Sequence, residues 1–165
     1  MESQGVLTEV EILNTVEKFE ACAFRIDEFT HARHMTVACW YLATLPFEDA
    51  LAHMRTGLQR FLQHHGKDGY HETITRFWMI LLDHALRARP QERTLAARVE
   101  YVIGQYSDKN GLFHHYTRER VLSDEARMRW VEPDLHPIGF ELAACSITEK
   151  GGGAKIKPPH HVENY

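Results

Sequence analysis

Apolar residues recur at helical spacing along most of the chain, and no stretch alternates with the period of two that marks a half-buried strand. The clearest case is 47–65, where Phe47, Leu51, Met54, Leu58, Phe61 and Leu62 mark one face of an amphipathic helix. Gly66 and the Lys67-Asp68-Gly69 turn stop it. Before it, 7–22 predicts a helix with Val10, Leu13, Val16 and Phe19 on its inner stripe, and 28–45 predicts a second, closed by Pro46. After it, a fourth helix over 70–88 carries Ile74, Phe77, Trp78, Leu81, Leu82 and Ala85, and reads as the most deeply buried element. A fifth over 91–106 runs into the turn residues Ser107-Asp108-Lys109-Asn110-Gly111. A shorter one over 123–130 takes Ser123 as its N-cap.

The fold class that follows is all-α, a single-domain antiparallel bundle of about five helices with a short C-terminal helix and an irregular tail. Residues 1–137 are expected to form the bundle. Residues 138–165 are expected to be a partly flexible Gly/Pro-rich extension, because Gly151-Gly152-Gly153 and Pro158-Pro159 resist regular structure.

Composition narrows the function classes. At 165 residues, 44 % hydrophobic and 25 % charged, the chain fits one soluble globular domain. A net charge of −4 gives no reason to expect nucleic acid or an anionic membrane surface as partner. No apolar run approaches a spanning helix, and the first residues lack the pattern of a signal peptide, so a cytoplasmic location is expected. Cys22, Cys39 and Cys145 are odd in number and widely spaced, which is neither a disulfide framework nor a CxxC zinc motif, and Cys22 and Cys39, set among apolar residues, read as buried thiols. The amphipathic helices and the tail are compatible with a homodimer.

The 12 histidines change the picture most. Short connections favour antiparallel neighbours, so the start of the second helix, the end of the third, the start of the fourth and the end of the fifth should share one end of the bundle. His31 and His34, spaced i,i+3 at the second helix start, would then meet Tyr70-His71-Glu72-Thr73 at the fourth. Asp27 joins that face if the second helix already includes it. A helix start disfavours a protonated imidazole, and the neutral form is the one that binds a metal or accepts a proton. Glu72 reads equally as a functional carboxylate or as a complement to the helix dipole, and Thr30 and Thr73 read as caps. His53, His64, His65, His84 and His136 read as structural or solvated, and His114 and His115 stay outside the core site.

The motif Phe29-Thr30-His31-Ala32-Arg33-His34, followed by Tyr70-His71-Glu72-Thr73 with Thr75 two positions on, resembles a largely uncharacterised family of small bacterial helical proteins. These carry an aromatic-Thr-His-x-x-His motif at a helix start and a Tyr-His-Glu-Thr motif after an amphipathic helix. The segments 116–122 and 130–135 share the likeness, which spans roughly residues 15–137. The resemblance implies that His31, His34 and His71 act as a unit, and it implies no particular reaction.

The leading expectation is a mononuclear metalloenzyme acting on a small molecule. His31, His34 and His71 would be the ligands of a divalent transition metal, iron or zinc first, with copper and nickel as alternatives. Glu72 and Tyr70 would serve as catalytic groups. Arg118, Arg120, Tyr116 and Thr75 would hold the substrate. Two other readings stand beside it: a non-catalytic module that binds a small molecule or metal, and a metal-free enzyme using His/Glu acid–base chemistry.

Overall fold

The computed structural model describes residues 7–88 and 94–138, and all eight regular elements among them are helical. The expected extension at 138–165 lies almost wholly outside the described residues, as does 89–93, where the fifth helix was expected to begin. Five longer helices come first: α1 (Glu9–Glu20), α2 (His31–Thr44), α3 (Phe47–His64), α4 (Glu72–Arg87) and α5 (Leu95–Gln105). A 3-10 turn at Lys109–His114 and two short helices, α6 (Arg118–Val121) and α7 (Asp124–Met128), follow. The fold class is all-α. Among the described residues no helix is long and apolar enough to cross a membrane.

Local chemistry explains the boundaries. Thr8 and Glu11 form a reciprocal capping box at the start of α1. Thr30 caps α2 by accepting from the Arg33 N–H, Thr94 caps α5, and Ser123 caps α7. At the end of α3, Gly66 takes φ 61° and lets the Lys67 N–H reach the Leu62 carbonyl. Cys22 stands in the same role after α1 at φ 52°, with the Ala23 N–H on the Lys18 carbonyl. Asp27 precedes α2 rather than joining it, and pairs with Arg25 at 2.7 Å.

α2 packs against α1, α3, α4 and α5 and buries seven of its residues, so it shares the central place expected of α4 alone. α4 stands between two apolar clusters. Met79, Leu82 and Leu86 join the one built on α1, α2, α3 and α5, while Phe77 and Leu81 join Leu112, Tyr116, Val121, Ala126 and Val131. The inner stripe of α1 is Ile12, Val16 and Phe19, with Val10 75 % exposed. At about 100° per residue, Val10 lies about 240° round from Val16, whereas Ile12 is within about 40° of both Val16 and Phe19.

Gly57 sets the approach of α3 to α1. A Cβ there would come within 2.6 Å of the Phe19 ring. That ring is fully buried and stacked on Phe29 at 4.8 Å, so it has little room to yield. Gly57→Ala should therefore lower stability by about 1–3 kcal/mol from overpacking. An open helical site would show the opposite sign, alanine gaining about 1 kcal/mol over glycine. Urea unfolding of the two proteins checks the sign.

Candidate functional site

Chain connections bring the expected segments together. The His31 Nε2–H donates to the Tyr106 carbonyl at the end of α5 (3.1 Å), and His65 at the end of α3 bonds the Phe24 carbonyl (3.0 Å). Between α2, α3 and α4 lies a cavity of about 370 Å³, open to solvent on one side. That lies at the small end of ligand pockets, which run from about 300 to 1,000 Å³. Met35 and Ala38 of α2, Met54 and Leu58 of α3, and Trp78 and Met79 of α4 make much of its wall. Ile26, Phe29 and Gly69 also line it, and His31, His34, Tyr70, His71 and Thr75 supply the polar groups.

The three histidines are placed differently. His31 lies edge-on to Trp78, with ring centroids 4.7 Å apart. Burial lowers its pKa, partly offset by the Tyr106 carbonyl. A carbonyl can only accept, so Nε2 carries the proton and the neutral ring keeps a bare Nδ1. His34 packs on Phe29 at 4.1 Å between centroids, and its ring nitrogens have no hydrogen-bond partner among the described residues. Burial, then the neighbouring His31, pushes its pKa down to about 4. It is neutral at physiological pH.

His71 is a structural joint. Its Nδ1 accepts from the Ile74 N–H, making it the N-cap of α4, and its Nε2–H donates to the Val121 carbonyl at 2.8 Å. Those two bonds fix one neutral tautomer and commit both nitrogens; burial also lowers the pKa. His71 borders the cavity without a lone pair to offer it. Among the described residues no three His, Cys, Asp or Glu side chains come together at metal-binding spacing. A three-histidine centre at His31, His34 and His71 therefore does not fit these residues as they are arranged.

Glu72 belongs to a different wall. Arg55 grips it with two bonds (2.8 and 2.6 Å), and the Tyr70 hydroxyl donates to the same carboxylate at 2.7 Å. Arg55, then Tyr70, holds the Glu72 pKa below the ordinary carboxylate value, against the effect of burial. The side chain lines an outer cleft with Arg76, Arg127 and Arg129, not the cavity. It stands in the first turn of α4, where an acidic side chain complements the helix dipole, and is paired with Arg55 rather than turned to the cavity. Tyr70 faces both spaces, but burial and Glu72 push its phenol well above the usual range. It is a poor acid.

The expected substrate-binding residues divide. Thr75 lines the cavity. Tyr116 is fully buried in the second cluster with its hydroxyl on the Val131 carbonyl (2.8 Å), Arg118 lies over the Phe113 ring, and Arg120 reaches the Glu132 carbonyl. None of these three lines the cavity. Thr73 caps nothing: fully buried, it donates to the Arg129 carbonyl (2.7 Å) and accepts from the Val131 N–H (3.1 Å). His115 is buried and bonded to the His136 carbonyl, consistent with its exclusion from the site.

Sequence reasoning missed Arg55, Trp78 as a cavity wall, and the carbonyls of Tyr106 and Val121. Backbone carbonyls carry no residue signature, and Trp78 looks like any core aromatic. No family model, no curated protein and no solved structure matches the chain.

Proposed function

We propose that the protein binds a small, largely apolar molecule in the cavity between α2, α3 and α4, with His31 and His34 as its polar contacts. The supporting observation is the His34 imidazole, neutral and unpartnered on an apolar wall. His34 is half-buried and its ring nitrogens bond no protein group among the described residues, so they remain available to a molecule in the cavity. Its use lies in what the cavity receives.

Titration with the uncharged, environment-sensitive dye prodan tests this reading. Wild type should bind it saturably, one to one. Ala38→Phe, which projects a ring into the cavity from α2, should lose that binding while unfolding at the same denaturant concentration. Equal binding by a folded variant would place the dye elsewhere and end the proposal.

A second reading keeps the metal. His31 and His34 both retain a nitrogen lone pair on one wall, so a divalent iron or zinc ion could take these two ligands and complete its shell from the bound molecule. Metal analysis of untagged protein, after metal is supplied, should then show one ion per chain, lost in His31→Ala. No bound metal would end this second reading and leave the first intact.

A further inference from the structure

Resting on the reading of the cavity as a small-molecule site, we infer that its ligand is a neutral molecule with an apolar body and one O–H or N–H donor directed at His31 and His34. The wall itself selects for this chemistry. It holds no Arg or Lys to meet an anion and no Asp or Glu to meet a cation. Arg55 and Arg76 lie in the outer cleft, where Glu72 takes both Nε and Nη2 of Arg55 and Glu48 takes Arg76. A charged ligand would lose its hydration inside with no countercharge to replace it.

The spare hydrogen-bonding capacity of the wall is lopsided. The Tyr70 hydroxyl gives its proton to Glu72, and both His71 nitrogens are occupied. His31 has spent its only N–H on the Tyr106 carbonyl, leaving Nδ1 as a pure acceptor. Neutral His34 adds one acceptor and one donor. The Thr75 hydroxyl donates to Tyr70 and leaves its oxygen as a further acceptor, so acceptors on the wall outnumber the single His34 donor and a ligand that brings a proton satisfies it best. The apolar remainder of such a ligand meets Phe29, Met35, Met54, Leu58 and Trp78.

Three probes of one shape separate the possibilities at pH 7: 2-naphthol, which carries the donor; 2-methoxynaphthalene, which has lost it; and 2-naphthoate, which is anionic. Calorimetry should give 2-naphthol an affinity at least tenfold above that of the ether, with 2-naphthoate weakest. His34→Leu, with His31 Nδ1 as the remaining acceptor, should weaken 2-naphthol severalfold and leave the ether unchanged. Equal binding of 2-naphthol and the ether would overturn the donor inference while the cavity reading stands. Tightest binding of 2-naphthoate would overturn the neutrality of the ligand. Failure of all three to bind would overturn the cavity reading and this inference with it.

Discussion

Between pH 7 and pH 4 the protein is expected to lose stability on the order of 3 kcal/mol through His34 alone, from a pKa that falls from 6.5 to about 4 at about 1.36 kcal/mol per unit. The sign follows from which state takes up the proton. In the unfolded chain the imidazole protonates below about 6.5, while in the fold it stays neutral until about 4. In that window the unfolded state binds more protons, so acid favours it. Above pH 6.5 the contribution is complete and flat. His31 and His71, both shifted down by burial, add to the loss in the same direction. Urea unfolding at half-unit pH steps should show the slope, and His34→Leu should flatten much of it.

His71→Ala is expected to cost about 2–4 kcal/mol at neutral pH. The loss of an N-cap accounts for about 1 kcal/mol. The Val121 carbonyl, left without its donor beside a fully buried side chain, accounts for about 1–3 more. His71→Asn, which can still cap α4 but is too short to reach Val121, should recover only the capping part. The two substitutions, compared by urea unfolding at pH 7, separate the cap from the long-range bond. A metal-ligand role for His71 would instead leave the metal-free protein's stability largely unchanged.

The positions of these histidines were legible in the sequence to different depths. Thr30 and Pro46 delimit α2, Gly66 ends α3 and Ser123 starts α7 by rules that act within a few residues, and the structure follows them. Short connections also placed the end of α5 beside the start of α2, where His31 meets Tyr106. The sequence could not say what each polar side chain would turn toward. His34 and His71 both stand at helix starts and border the cavity, yet His71 spends its nitrogens on its own helix and on a carbonyl 50 residues away while His34 does not. Glu72 follows His71 by one residue, about 100° round the helix, which was enough to send it to Arg55 on another wall. From the sequence, bundle topology and the resemblance place Tyr116 in the site, and its helix-start position makes Thr73 a cap. Their partners are backbone groups of 129–131, which no pattern of residue types announces. The inner face of α1 was misplaced for a simpler reason: Val10 and Leu13 share residue type with the core but not its angular position.

The proposed use of His34 for a ligand rather than for the fold is tested most directly by His34→Leu, with stability and 2-naphthol affinity measured on the same preparation at pH 7. Leucine removes a half-buried imidazole that bonds no protein group among the described residues, so the variant should be about as stable as wild type, and should bind 2-naphthol severalfold more weakly. A variant destabilised by more than about 1 kcal/mol, the worth of an ordinary hydrogen bond, with its affinity unchanged, would make His34 a structural residue and contradict this account.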